Sequence, residues 1–161
     1  MVSRNEVNHI IILSYFTEDM IQKLLPEIEL LRFKSGEIIF RRGEPAATFY
    51  SLKRGKILLE QRISEKVTIS MGTVKPGYSF GWSSMLGDEK FTLDTVCGEP
   101  CEVLSIRAKT MLAMLEENHS MGYRFMHRLL HMLKRRLDMR TELLLKLLSN
   151  HPDIQPLMRE S

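Results

Sequence analysis

The sequence is poor in the features that usually announce chemistry. Its 161 residues hold only two cysteines, Cys97 and Cys101, and one tryptophan, Trp82. Two thiols are too few for a disulfide framework, and both are expected to stay reduced in the cytoplasm. No apolar stretch approaches the roughly 18 residues that span a membrane. The opening MVSRNEVNHIIILSYF places Glu6 and Asn8 before its apolar run, with no small-residue cleavage site after it. No signal peptide is expected. There is no G-x-S-x-G, P-loop, G-x-G-x-x-G or H-E-x-x-H, so the chain reads as no enzyme. No internal repeat occurs at solenoid periods.

What is present is ordinary for a globular protein. The chain is 43% hydrophobic and 27% charged, with 9 Gly and 6 Pro, so one domain with a real core is expected. The net charge of +3 hides an uneven distribution. Residues 1–117 carry 15 Lys/Arg against 16 Asp/Glu, and residues 118–146 carry 7 against 2. Any electrostatic patch therefore lies in the C-terminal part. Its attraction for nucleic acid is expected to be weak and sequence-independent.

The texture changes twice along the chain. Residues 9–25 read as N-terminal helices, with Thr17 capping a run from Glu18 to Leu25 that Pro26 stops. Residues 27–106 read as short strands. Apolar alternation runs through Glu37–Phe40, Phe49–Leu52, Lys56–Leu59, Val67–Met71 and Val103–Ile106, punctuated by Gly and Pro turns. That rhythm is the mark of an all-β roll or barrel. Residues 108–118 then read as a short helix, 120–149 as a long helix and 150–161 as a tail.

The long helix carries a heptad seam of Tyr123, Met126, Leu130, Leu133, Leu137, Leu144 and Leu147, with Arg140 its lone charge. A helix of about 30 residues is about 45 Å long, more than a small roll covers. The seam calls for a second copy of itself and a homodimer. The alternative is a helix folded back on its own barrel.

Residues that could hold a metal or react are few. His9, His119, His127, His131 and His151 all lie outside the β segment, which excludes a metal-centred barrel of the cupin kind. His127 and His131 share a helix face at i, i+4, but no third ligand stands nearby, so no metal is expected. Cys97 and Cys101 flank Gly98-Glu99-Pro100 and are expected to be buried, reduced thiols facing each other across a hairpin.

The glycine pattern is more specific. Phe33-Lys34-Ser35-Gly36-Glu37 leads to Arg42-Gly43-Glu44-Pro45, then to Lys53-Arg54-Gly55-Lys56 and Lys75-Pro76-Gly77-Tyr78-Ser79-Phe80-Gly81-Trp82. Each glycine sits at a tight strand turn that favours positive φ. From residue 10 to about 149 the chain resembles the cyclic nucleotide-binding domain, as in the sensor half of the catabolite activator (Crp/Fnr) family. The resemblance implies an eight-stranded double-stranded jelly roll preceded by helices. It also implies a long C-terminal dimerisation helix.

The family's phosphate cassette begins Phe-Gly-Glu and ends in an Arg. The Glu holds the ribose hydroxyl and the Arg pairs with the cyclic phosphate. Here Phe80 and Gly81 match, but Trp82 stands in place of the Glu. Counting back from Glu102–Ile106, Phe91 stands in place of the Arg, and Asp94 adds a negative charge nearby. The resemblance therefore assigns Phe80, Gly81, Trp82, Ser83, Ser84, Phe91 and Thr92 to a variant ligand site. It puts Arg140 and Thr141 at the base-contacting positions of the long helix. Two readings stay open for Trp82 and Phe91: they fill a vacated pocket, or they line a pocket re-tuned for a flatter, less charged ligand. Two stay open for Arg140 also: a replacement cation for the pocket, or a side chain that reaches solvent.

The expected function is a non-catalytic, ligand-sensing regulatory module with a small-molecule ligand and a downstream protein partner. The alternatives are a genuine cyclic AMP or cyclic GMP regulator and the sensor half of a transcription factor. The residues after Ser149, with Pro152 and Pro156 among them, leave no room for a helix-turn-helix, so no specific DNA binding is expected.

Overall fold

The computed structural model describes residues 2–87 and 89–156. Met1, Asp88 and the last five residues of the expected tail lie outside the described residues. The polypeptide divides into two compact units, Met1–Phe125 and Met126–Ser161.

The first unit holds eight strands in two antiparallel four-stranded sheets. They are β1 (Glu29–Phe33), β2 (Ile38–Phe40), β3 (Thr48–Arg54), β4 (Ile57–Arg62), β5 (Thr68–Val74), β6 (Ser79–Phe80), β7 (Asp94–Cys97) and β8 (Cys101–Arg107). One sheet has the order β1-β8-β3-β6 and the other β2-β7-β4-β5. Alternation puts one face of each sheet inward: on β4, Ile57 and Leu59 are buried while Leu58 and Glu60 are half-buried. Leu52, Phe80 and Val103 from the first sheet meet Phe40, Ile57 and Leu59 from the second in one apolar core. This is the β-roll expected from the glycine turns. Gly36, Gly43, Gly55, Gly77 and Gly81 all take positive φ.

Strand β8 is buried on both faces because helical segments cover the outer side of its sheet. Ile10, Met111 and Phe125 line a cavity there of about 20 Å³ with Leu104 and Ile106. The helices are α1 (Arg4–Val7), α2 (Glu18–Leu24), α3 (Ala108–Glu117) and α4 (His119–Ser149). Thr17 caps α2 as expected, its Oγ1 accepting from the Met20 N–H at 3.4 Å.

The N-terminal helices expected over residues 9–25 are present, but they are broken around Ile10 and Phe16. Ile10 is extended, and the Ile11 N–H donates to the Gly77 carbonyl at 2.9 Å. The chain there spends its backbone on the β5–β6 turn, so only a 3-10 turn forms at Ile11–Leu13. Ion pairs fasten this segment to the sheet. Lys53 reaches Glu6 at 2.8 Å and Glu102 at 3.1 Å. The Lys53 hydrogen bond is the main cause that holds the Glu6 carboxyl down to about 2. The contribution is therefore full above the ordinary carboxylate range and is lost as pH falls toward 2.

Helix α4 begins at His119, one residue earlier than expected, because Asn118 caps it. The Asn118 Oδ1 accepts from the Met121 N–H at 3.1 Å. Gly122 lets α4 leave α3 at close quarters: a Cβ there would come within 2.7 Å of the Leu115 carbonyl oxygen.

Candidate functional site

Strand β6 ends at Gly81, whose left-handed backbone (φ +76°) turns the chain into the five-residue 3-10 helix Trp82–Leu86. Ser84 closes this turn on itself. Its N–H and Oγ both donate to the Gly81 carbonyl, at 3.1 and 2.7 Å. The Trp82 indole N–H donates to the Ser79 carbonyl at 2.9 Å, so it is directed at its own strand. Ser83 is half-buried between them.

Aromatic rings gather against this turn. Phe91 is buried and stacks on Phe40 with ring centroids 3.7 Å apart and planes 15° apart. Tyr50 stacks on Phe80 at 5.3 Å, and Phe40 lies 5.7 Å from Tyr50. A Cβ on Gly81 would meet the Tyr50 ring at 3.1 Å and the Phe91 ring at 3.4 Å. The start of the 3-10 helix therefore faces two rings.

The backbone pins Phe91 in place. Its N–H donates to the Glu44 carbonyl at 3.0 Å, and its carbonyl accepts from the Gly43 N–H at 2.8 Å. Asp94 is equally occupied: its Oδ1 accepts from the Arg42 N–H at 2.7 Å. Thr92 and Lys90 are exposed. Burial pushes the Tyr50 phenol above its ordinary value.

Residues 30–118, more than half of the chain, match the cyclic nucleotide-binding domain. The chain belongs to the cyclic nucleotide-binding domain family. It is 23% identical to a Geobacter metallireducens protein named for cyclic nucleotide binding, with a TM-score of 0.74 over 85% of this chain and 99% of that one. It is also 23% identical to the Thermus thermophilus catabolite activator protein, with a TM-score of 0.69 over 86% of this chain and 62% of that one. A curated relative, the acetyltransferase Pat of Mycolicibacterium smegmatis, is 25% identical over 91 residues. That match covers 55% of this chain and only 27% of Pat, so the chain spans about a quarter of that protein.

Phe80, Gly81, Trp82, Ser83, Ser84 and Phe91 come together at one end of the roll, while Thr92 lies at its surface. Arg140 and Thr141 belong to α4 in the second unit. Both are exposed, and the Thr141 Oγ1 donates to the Leu137 carbonyl at 3.0 Å. The seam residues Tyr123, Met126, Leu130, Leu133, Leu137, Leu144 and Leu147 are 42–71% exposed. Met121, Phe125, Leu129 and Met132, on another face of the same helix, are buried.

Three participants were not singled out from the sequence. Phe40 and Tyr50 supply the rings that meet Phe91 and Phe80, from strands distant in the chain. Thr95 pairs across the sheet with Phe40 and is fully buried, and its Oγ1 has no hydrogen-bond partner. An unsatisfied buried hydroxyl costs about 1–3 kcal/mol. Thr95→Val keeps the shape and removes that cost, so urea unfolding is expected to show a gain of about 1 kcal/mol. A loss of stability would mean that the hydroxyl has a partner.

The His127 and His131 rings lie 4.7 Å apart at 75°. Among the described residues no three metal-ligating side chains gather, and no helix is long and apolar enough to cross a membrane. Cys97 and Cys101 are free and buried. Burial, and then the neighbouring Cys101, push the Cys97 thiol up to about 12. It is therefore no thiolate nucleophile at neutral pH.

Proposed function

We propose that this domain is a homodimeric regulatory module whose roll has given up the family's cyclic-phosphate anchors. The observation that carries this reading is the Phe91 ring, stacked on Phe40 and lying against Gly81. In the family an arginine at this place pairs with the phosphate. Here an anion at the start of the 3-10 helix would meet an apolar ring and no cation from that strand. Trp82 cannot replace the ribose-holding Glu either, because an indole donates one hydrogen bond and accepts none. Its donor already serves Ser79. A flat, uncharged ligand that displaces Phe91 suits the remaining surface better than a nucleotide.

The dimer half of the proposal rests on the exposed seam. Seven large side chains at heptad spacing are more apolar surface than a single helix leaves in water without a partner. A parallel pairing also sets Leu143 of one copy beside the partner's Leu148, both exposed leucines in the single chain.

Thermal unfolding tests the ligand half. A Kd of about 10 μM would stabilise the protein by about 2.7 kcal/mol at 1 mM ligand, which is several degrees in Tm. With 1 mM cyclic AMP or cyclic GMP the expected shift is under about 1 °C. A rise of several degrees would support the second reading, a genuine cyclic AMP or cyclic GMP regulator.

A further inference from the structure

Thr95 stands where an apolar side chain would serve the fold better. On β7 it and Cys97 face the interior of the roll, while Asp94 and Val96 are half-buried. Its strand partners are Phe40 on β2 and Leu59 on β4, both buried. Thr95 is 0% exposed, and among the described residues its Oγ1 meets no hydrogen-bond partner. The buried hydroxyls of Ser51, Ser79, Ser84 and Ser105 all have one. A buried polar group left unpaired in this way calls for an explanation.

Its place in the sheet puts Thr95 beside the rings of the cassette. Direct cross-strand neighbours have Cβ atoms within about 5.5 Å of each other, so Thr95 lies next to Phe40. Phe40 carries the Phe91 ring at 3.7 Å, with planes 15° apart. That spacing is one aromatic layer, so a molecule that takes the place of the Phe91 ring on Phe40 has to be flat. The Phe91 backbone is held by Gly43 and Glu44, and only the side chain has to turn. One hydroxyl beside an apolar, ring-walled slot is the make-up of a small-molecule site, in which a few polar groups fix orientation.

We propose that the Thr95 hydroxyl is the specificity-determining contact for the ligand of the roll. That ligand is a neutral, flat ring molecule that stacks on Phe40 in place of Phe91 and carries one oxygen, hydroxyl or carbonyl, on the edge turned to β7. The proposal rests on the reading in which the ligand displaces Phe91, and it names the chemistry of that ligand. A threonine hydroxyl both donates and accepts, so it serves either oxygen. A ring without the oxygen gains the stacking but leaves the hydroxyl unpaired, which is how a buried polar group discriminates between analogues.

Calorimetry with benzene and phenol tests this in Phe91→Ala, which opens the slot without a ligand having to move the ring. Apolar cavities made by such truncations take benzene-sized molecules. Both probes are expected to bind. Adding Thr95→Val should weaken phenol at least about tenfold and leave benzene within about twofold. Phe91→Leu, which leaves a smaller gap, carries the same comparison should the alanine variant not fold. Phenol affinity that is unchanged by Thr95→Val would overturn the role of the hydroxyl and leave the displaced-ring reading standing. An equal loss for benzene would also overturn it, because the exchange would then act on the shape of the slot. Binding of neither probe at about 1 mM would overturn both.

Discussion

Replacing Trp82→Glu and Phe91→Arg together is expected to convert this domain into one that binds cyclic AMP at least about 100-fold more tightly than the unaltered chain. On the proposed placement of the cassette, the two exchanges supply the family's ribose and phosphate contacts beside the Gly81 turn. A hydrogen bond to a charged group is worth about 1.5–3 kcal/mol, so two of them account for that factor. The exchange has a cost that is itself a signature. Loss of the Phe91 ring from its place against Phe40 removes about 3–5 kcal/mol of packing, and the new guanidinium is left without an anion. The ligand-free variant should therefore melt well below the original and recover with cyclic AMP. Trp82→Glu alone, at a half-exposed position, should fold normally and bind no better than the original. A folded double variant with no gain in affinity would mean that the arginine position lies elsewhere in the segment, and Lys90 would be the next residue to examine.

Leu130→Asp is expected to leave the fold intact and abolish the dimer. Leu130 is 64% exposed in the single chain, so the exchange should not change circular dichroism. In the paired seam it would bring two carboxylates together between Met126 and Leu133. That costs about 3 kcal/mol or more, which raises the dissociation constant more than about 100-fold. The position is chosen away from Arg136 and Arg140, whose charge would partly neutralise an acid at Leu137. Sedimentation at tens of micromolar decides the matter. A wild-type monomer, or a Leu130→Asp dimer as tight as the original, would contradict the seam.

The legible parts of this protein were those with a local cause. The α4 seam repeats along one helix, and the turn glycines answer to their own φ angles, so both could be read from residue order. β6 has two residues and β7 begins with Asp94, so neither shows an alternating pattern. The break in the N-terminal segment depends on the Ile11–Gly77 hydrogen bond, which no local propensity encodes. At the cassette the same distinction holds. The proposed assignment of Trp82 to the family's Glu position and of Phe91 to its Arg position rests on counting along a known pattern. Where the Phe91 ring goes does not, because Phe40 on β2, from a distant part of the chain, receives it. The unpartnered hydroxyl of Thr95 likewise exists only once the sheets close over it.

Titration calorimetry of the full chain with cyclic AMP and cyclic GMP addresses the central claim most directly. The Phe91 ring against Gly81 and the missing ribose anchor predict no saturable heat for either nucleotide up to about 100 μM, with only weak residual affinity from the amides at the helix start. A dissociation constant in the low micromolar range or tighter would contradict the account, because it would require a cation and a ribose contact that these residues do not provide.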